Sequence, residues 1–272
     1  HKYGGEGDYH YDASGVLTEG DGEVLRRAGW YEFRPHSDDP YAVHLWYASQ
    51  SDEDRARVRR LRDWEARDWK RVDPRASSKH GADHEYAWLA YLDGEFPDYP
   101  ERILEAARQR TQERLDLLDA EGNEPTTVDE DYLRDRNPVF HRPLLQLTMG
   151  APQPIYYGGL VMAQLRHFDV GRRRPGLPDG VAALVEDVSE AGVSVTLVNL
   201  GSADEELVVQ AGAYGEHRFE SVETDGEIHT GDEAASAGSN TIRVDLPSGR
   251  RLSLSADLDR FVNDPTYALP WA

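Results

Sequence analysis

The densest grouping of chemically useful side chains runs Asp73-Pro74-Arg75-Ala76-Ser77-Ser78-Lys79-His80-Gly81-Ala82-Asp83-His84-Glu85-Tyr86-Ala87-Trp88. Asp83 and Glu85 suit general acid–base work, and His80 and His84 suit proton transfer or hydrogen bonding to a sugar hydroxyl. Tyr86 and Trp88 offer flat faces on which a pyranose can stack, and Lys79 offers a cationic donor. We take Asp83, Glu85, His84 and His80 as candidate catalytic residues, with Lys79, Tyr86 and Trp88 as candidate substrate contacts. Glycoside hydrolysis needs two carboxylates flanking the scissile bond. Asp83 and Glu85 are two apart, so they share a face on a strand and diverge on a helix. In the helical case the second carboxylate comes from elsewhere, such as the acidic N-terminal zone. The competing reading is structural: Ser77 or Ser78 caps a helix, and the two carboxylates answer its dipole.

Metal chemistry has thinner support. His80 and His84 would share a helix face like half of a zinc site, but Gly81 weakens that helix and Glu85 follows the second His. Asp8-x-His10-x-Asp12-x-Ser14 echoes a calcium loop without its Gly or its distal Glu. We therefore expect no metal and no cofactor. The segment Gly150 to Gly159 reads as a loop, because its Pro and Gly residues forbid regular structure. Its Tyr156 and Tyr157 are further candidate substrate contacts at a pocket mouth. No phosphate-cradling glycine motif and no nucleophile-elbow serine is present.

Four helices are expected to position these groups. The first starts at Ser51, with Asp54 completing a capping box, and ends before Pro74. The second starts near Pro100, runs along Ile103, Leu104, Ala107, Thr111, Leu115 and Leu118, and stops at Gly122. A short third spans about 128–136, and a fourth spans Pro143 to Met149 and ends at Gly150. From Val193 the period becomes two. Stretches at 193–198, 207–211, 216–222, 241–246 and 252–258, separated by Gly, Asn, Asp and Pro turns, indicate an antiparallel sandwich. Leu160 to Phe168 reads as either strand or helix. The fold class is thus α+β: a helical region followed by an antiparallel β-sandwich. The expected organisation is an irregular aromatic and acidic segment at 1–50, helices at 51–170, a linker at 171–180 and the sandwich at 181–272. The sandwich, 181–262 at its core, is expected to fold autonomously.

Composition narrows the function. The 272 residues carry 30 basic and 51 acidic side chains, a net charge of −21. Such a field repels phosphate backbones, so nucleic acid is not an expected partner. Lys2, Lys70 and Lys79 are the only lysines, which fits either a halophile-like surface or a GC-rich genome. Six Trp and 14 Tyr argue for a folded core. No apolar run reaches membrane-spanning length, so no membrane association is expected. Absence of Cys removes disulfides, thiolate metal sites and Cys nucleophiles, and leaves the compartment open between cytoplasm and secretion. The first residue is His1, which fits a processed form or a piece of a longer chain.

The cluster Ser77 to Trp88, the following Tyr91-Leu92-Asp93-Gly94, and the run Val193-Ser194-Val195-Thr196-Leu197-Val198-Asn199-Leu200 together resemble the C-terminal half of bacterial glycan-active enzymes. Those are built on an (α/α) barrel with a trailing β-sandwich. The resemblance implies a carbohydrate substrate and glycosidase-like hydrolysis or lyase-like acid–base chemistry. The alternative is a non-catalytic glycan-binding or assembly subunit. The helices are too few to close such a barrel, so an oligomer, or a partner chain completing the fold, is expected.

Overall fold

The computed structural model describes residues 9–11, 17–19, 23–24, 41–61, 84–121, 136–152, 162–225, 228–229 and 238–271. The chain divides into two compact units. One is His1–Asp38 with Arg57–Arg67, and the other is Asp39–Ala56 with Asp68–Ala272.

The first unit contains β1 (Tyr9–Tyr11), β2 (Leu17–Glu19) and β3 (Glu23–Val24), an antiparallel meander in that order. His10 of the calcium-like spacing sits in β1, opposite Thr18. The segment read as irregular therefore carries strands. It also carries α1 (Tyr41–Ser49), which belongs to the second unit. That helix follows Pro40 and holds Val43, Trp46 and Tyr47, all buried.

Further along are α2 (Asp52–Leu61), α3 (His84–Leu92), α4 (Tyr99–Glu121) and α5 (Arg142–Met149). The Ser51 hydroxyl accepts from the Asp54 amide at 3.2 Å, as the capping sequence requires. α5 ends at Gly150, whose φ of 61° is the left-handed geometry of a helix stop. The expected helix near 128–136 and the loop at 153–161, with Tyr156 and Tyr157, lie outside the described residues, Arg136 apart. α3 is apolar nearly all round: Tyr86 to Ala90 are all buried. Trp88 packs 6.2 Å from both Trp46 and Tyr47, and Phe96 and Tyr99 extend this aromatic core.

The β-sandwich consists of β4 (Leu165–Asp169), β5 (Arg174–Pro175), β6 (Val181–Val188), β7 (Gly192–Asn199), β8 (Glu205–Ala211), β9 (Arg218–Thr224), β10 (Ile228–His229), β11 (Thr241–Leu246) and β12 (Arg251–Asp259). One sheet has the order β10-β11-β8-β4-β5 and the other β6-β7-β12-β9; every pairing is antiparallel. Burial alternates along β11 and β12, the period the sequence displays.

Two boundaries differ from the expectation. The first sheet begins at β4, inside the stretch assigned to the helical region, and β4 is flanked on both sides by β8 and β5. Residues 171–180 are no linker but the β4–β5 turn and its return. Asp169 Oδ1 accepts from the Arg172 amide at 2.9 Å, Arg174 pairs with Asp169 and Asp179 at 3.3 Å, and Arg172 pairs with Asp179. Arg172 and Arg174 are thus paired locally, while Arg173 donates to Trp271 O at 3.4 Å, so the run folds rather than remaining a solvated tether. Helices and sandwich are joined directly: Tyr91 donates to Val185 O at 3.2 Å, and the Gln164 amide donates to Met149 O at 2.9 Å.

Candidate functional site

The aromatic core ends where α1 ends. The Gln50 amide still donates to Trp46 O at 2.6 Å, closing the last turn of α1. Gln50 itself then takes a φ of 55° to turn the chain toward Ser51. That left-handed geometry normally goes to Gly, and for another L-residue it costs about 1–2 kcal/mol. The strain brings the Gln50 side chain to a cavity of about 350 Å³ in the second unit. The wall is built by the end of α1 (Tyr47 to Gln50), the approach to β4 (Met162 to Gln164), Glu190, the β8–β9 turn (Glu216 and His217) and the residues after β12 (Arg260 and Phe261). Phe261 also has a positive φ, 58°. Two of the three non-glycine residues with positive φ among the described residues therefore line this one cavity, as backbone strain at functional sites does.

Several polar side chains of the wall are tied into hydrogen bonds. Tyr47 donates to Gly150 O at 2.7 Å and accepts from Gln164 Nε2 at 2.8 Å. Burial, offset in part by that Gln164 bond and by Arg260, pushes the Tyr47 phenol well above its ordinary range, so it stays neutral. Arg260 donates from Nη1 to Gln164 Oε1 at 2.6 Å, from Nη2 to Ser189 O at 2.8 Å and from Nε to Glu190 O at 3.3 Å. Glu216 accepts from the amides of Tyr214 at 2.7 Å and Ala213 at 3.2 Å, which holds the β8–β9 turn. A side chain at Gly212 would lie 2.5 Å from that carboxylate, and the φ of 84° at Gly212 is a conformation that favours glycine in any case.

His217 Nδ1 accepts from the Phe261 amide at 3.1 Å, so the proton of the neutral ring is assigned to Nε2. Burial holds its pKa below the usual value; the Glu216 charge opposes this and Arg260 reinforces it. His217 thus presents an N–H donor without a charge. Gln50 is 5% exposed, and its Oε1 has no hydrogen-bond partner among the described residues. A buried amide oxygen without a donor is costly, by about 1–3 kcal/mol, unless a ligand or water supplies one. The arrangement can hold a small polar molecule, with Gln50 Oε1 as acceptor and His217 and Arg260 as donors.

No sequence motif or spacing marks these residues for chemistry, and the period-two pattern over 216–222 places Glu216 and His217 in a strand. β9 starts only at Arg218. Of the sequence candidates, Lys79, His80 and Asp83 lie outside the described residues. His84 is the first residue of α3. Glu85 is fully buried in α3, and its Oε1 accepts from Gln146 Nε2 at 3.2 Å; Gln146 Oε1 in turn accepts from Tyr99 at 2.7 Å. Tyr86 and Trp88 are also fully buried, and Trp88 packs among other aromatics of the core. Neither is a surface platform, and Glu85, Tyr86 and Trp88 do not line the cavity. Among the described residues no group of His, Asp or Glu is arranged to hold a metal, and no helix is long and apolar enough to cross a membrane.

Residues 1–145, just over half of the chain, match a family model described as a domain of unknown function, DUF8034. The match takes in α1 and Gln50 and ends ahead of β4, so the sandwich half of the cavity wall lies beyond it. No curated protein and no solved structure matches the chain.

Proposed function

The chain belongs to the DUF8034 family, and from that footing we propose that it is a carbohydrate-active protein, or a portion of one, whose cavity beside α1 receives a sugar-sized polar ligand. The observation that carries this reading is Gln50: a buried amide acceptor without a donor among the described residues, held by a strained backbone at a cavity of about 350 Å³. That volume lies at the lower end of small-molecule sites and suits one pyranose unit. Sugar hydroxyls both donate and accept, so one ring can satisfy Gln50 Oε1 and take hydrogen bonds from His217 and Arg260.

The site favours recognition over bond cleavage. Of the two carboxylates in its wall, Glu216 is engaged by two backbone amides and Glu190 is exposed. Glu85 is buried away from the cavity, so any acid–base step is left to Asp83, His84 and His80, the remaining residues with suitable chemistry in the sequence. Saturation-transfer NMR of the whole chain against mono- and disaccharides tests the reading. Binding that weakens roughly tenfold in Gln50→Ala, the scale of one lost hydrogen bond, is the expected result. No binding by any sugar at millimolar concentration would end it.

A further inference from the structure

We infer that the ligand of this cavity is an acid, with a carboxylate that meets the Arg260 guanidinium. The inference rests on the sugar reading above and names the chemical class within it. Arg260 follows β12 and is half-buried in the cavity wall. A guanidinium has five N–H donors. Three of them reach Gln164 Oε1, Ser189 O and Glu190 O, all neutral amide oxygens. Among the described residues one N–H on each terminal nitrogen has no acceptor, and a carboxylate can bridge two such nitrogens with its two oxygens.

Among the described residues, the charge on Arg260 is not answered at contact distance. No carboxylate among the described residues lies within salt-bridge reach of it, in a chain whose acids outnumber its bases 51 to 30. Elsewhere the excess of acid is used: Arg55 pairs with Asp93 at 2.7 Å, Arg243 with Glu206 at 2.7 Å, and Arg218 with Asp259. Around Arg260 the two nearby acids are committed differently. Glu216 accepts from two amides of its own turn. Glu190 offers its main-chain oxygen, while its exposed carboxylate acts on Arg260 only from a distance.

Removing a cation from water without a counter-ion is unfavourable, and an anionic ligand reverses that cost. The rest of the wall fixes the ligand's orientation. Gln50 Oε1 is an acceptor, so it repels a carboxylate and attracts a hydroxyl or ammonium hydrogen. The neutral His217 donates without adding charge. The ligand is therefore a hydroxylated frame with its carboxylate toward Arg260 and a donor toward Gln50, as in a hexuronic acid.

The test compares the gluco, galacto and manno hexuronates, each beside its methyl ester and beside the parent hexose and its 6-phosphate, by titration of the whole chain at low and high salt. At least one free acid should bind roughly tenfold more tightly than its own ester, a margin that narrows as salt rises. Arg260→Lys should reduce that margin, because a point charge replaces the fork. Acid and ester binding alike would overturn the inference and leave the sugar reading standing. Preference for the phosphate over the acid would also overturn it. Failure of every probe, neutral hexoses included, would remove both. The acid-to-ester ratio is read on the unaltered protein, so it stands even where an Arg260 variant fails to fold.

Discussion

Arg260 Nη1 donates to Gln164 Oε1 at 2.6 Å, tying the end of β12 to the chain entering β4. The same Gln164 amide donates from Nε2 to Tyr47 at 2.8 Å, and Tyr47 donates to Gly150 O at 2.7 Å. One buried amide thus couples α1, the stop of α5 and both ends of the sandwich. Each member is satisfied only while the others hold. Gln164→Ala and Tyr47→Phe should each destabilise the chain by about 1–3 kcal/mol, the cost of leaving buried partners unpaired. The double variant should cost less than the sum of the two, because the second change removes a partner already orphaned. Urea unfolding of the four proteins measures the coupling, and strict additivity would count against a connected network.

Gly192 is required for contact rather than for backbone freedom. It opens β7 opposite Asp257, beside the register shift between Asp257 and Leu258. A Cβ there would collide with Ala256 O and lie 2.9 Å from Ala256 C and 3.0 Å from Asp257 Cα, all backbone atoms that cannot swing aside. Gly192→Ala should therefore lower stability by about 1–3 kcal/mol or more, as overpacking does. A melting temperature equal to that of the unaltered chain would contradict this.

How far the sequence could be read depended on whether the signal was local. Val193, Val195 and Leu197 alternate with smaller or polar neighbours, so β7 was legible, and Gly150 marked the end of α5 by its type alone. α1 was not legible: Tyr41-Ala42-Val43-His44-Leu45-Trp46-Tyr47 is too short and too evenly apolar to show a helical stripe. β4 was ambiguous because strand and helix periods cannot be separated over a few apolar residues. Glu85 looked like surface chemistry because it sits beside Asp83 and two His. A helix buried on nearly every side draws its lone carboxylate inward, where Gln146 meets it. The cavity was illegible for a different reason: Gln50, Gln164, His217 and Arg260 are each ordinary in their own neighbourhood. Only tertiary structure brings them together, and no spacing rule anticipates it.

The place of β4 alters what an isolated sandwich should do. A chain of residues 176–272 lacks β4 and β5, which leaves β8 as an edge strand with its Leu165–Asp169 partners missing. Leu207 to Ala211 are buried in succession, so that edge would be apolar and prone to pair with another chain. Residues 162–272 restore β4 and the turn that binds Asp169. The longer piece should melt cooperatively with a β-type circular-dichroism spectrum, and the shorter should aggregate or melt without a clear transition. Equal behaviour of the two would show that β4 is dispensable.

His167 makes stability depend on pH in a defined window. Its Nε2 lies 2.7 Å from Thr148 O, which makes Nε2 the donor, and Nδ1 is buried with no partner among the described residues. Protonation would place a second N–H, and a charge, where nothing among the described residues accepts it. Burial accordingly lowers the His167 pKa below 6.5, and the Thr148 carbonyl opposes the shift only in part. Above that pH the ring is neutral in folded and unfolded chains alike, so its contribution is fully present. As pH falls through 6.5 the unfolded chain takes up the proton and the folded chain does not. Stability then declines until the folded pKa is reached, by at most about 1.4 kcal/mol per pH unit for this one group. His217, lowered chiefly by burial, adds a loss of the same sign, reduced by Glu216. Urea-unfolding free energies between pH 7.5 and 5.5, above the range in which ordinary carboxylates titrate, isolate the effect. His167→Gln, which retains a donor for Thr148, should flatten the slope in this window by about one proton's share. An unchanged slope would show that His167 takes its proton in the folded chain as readily as in the unfolded one.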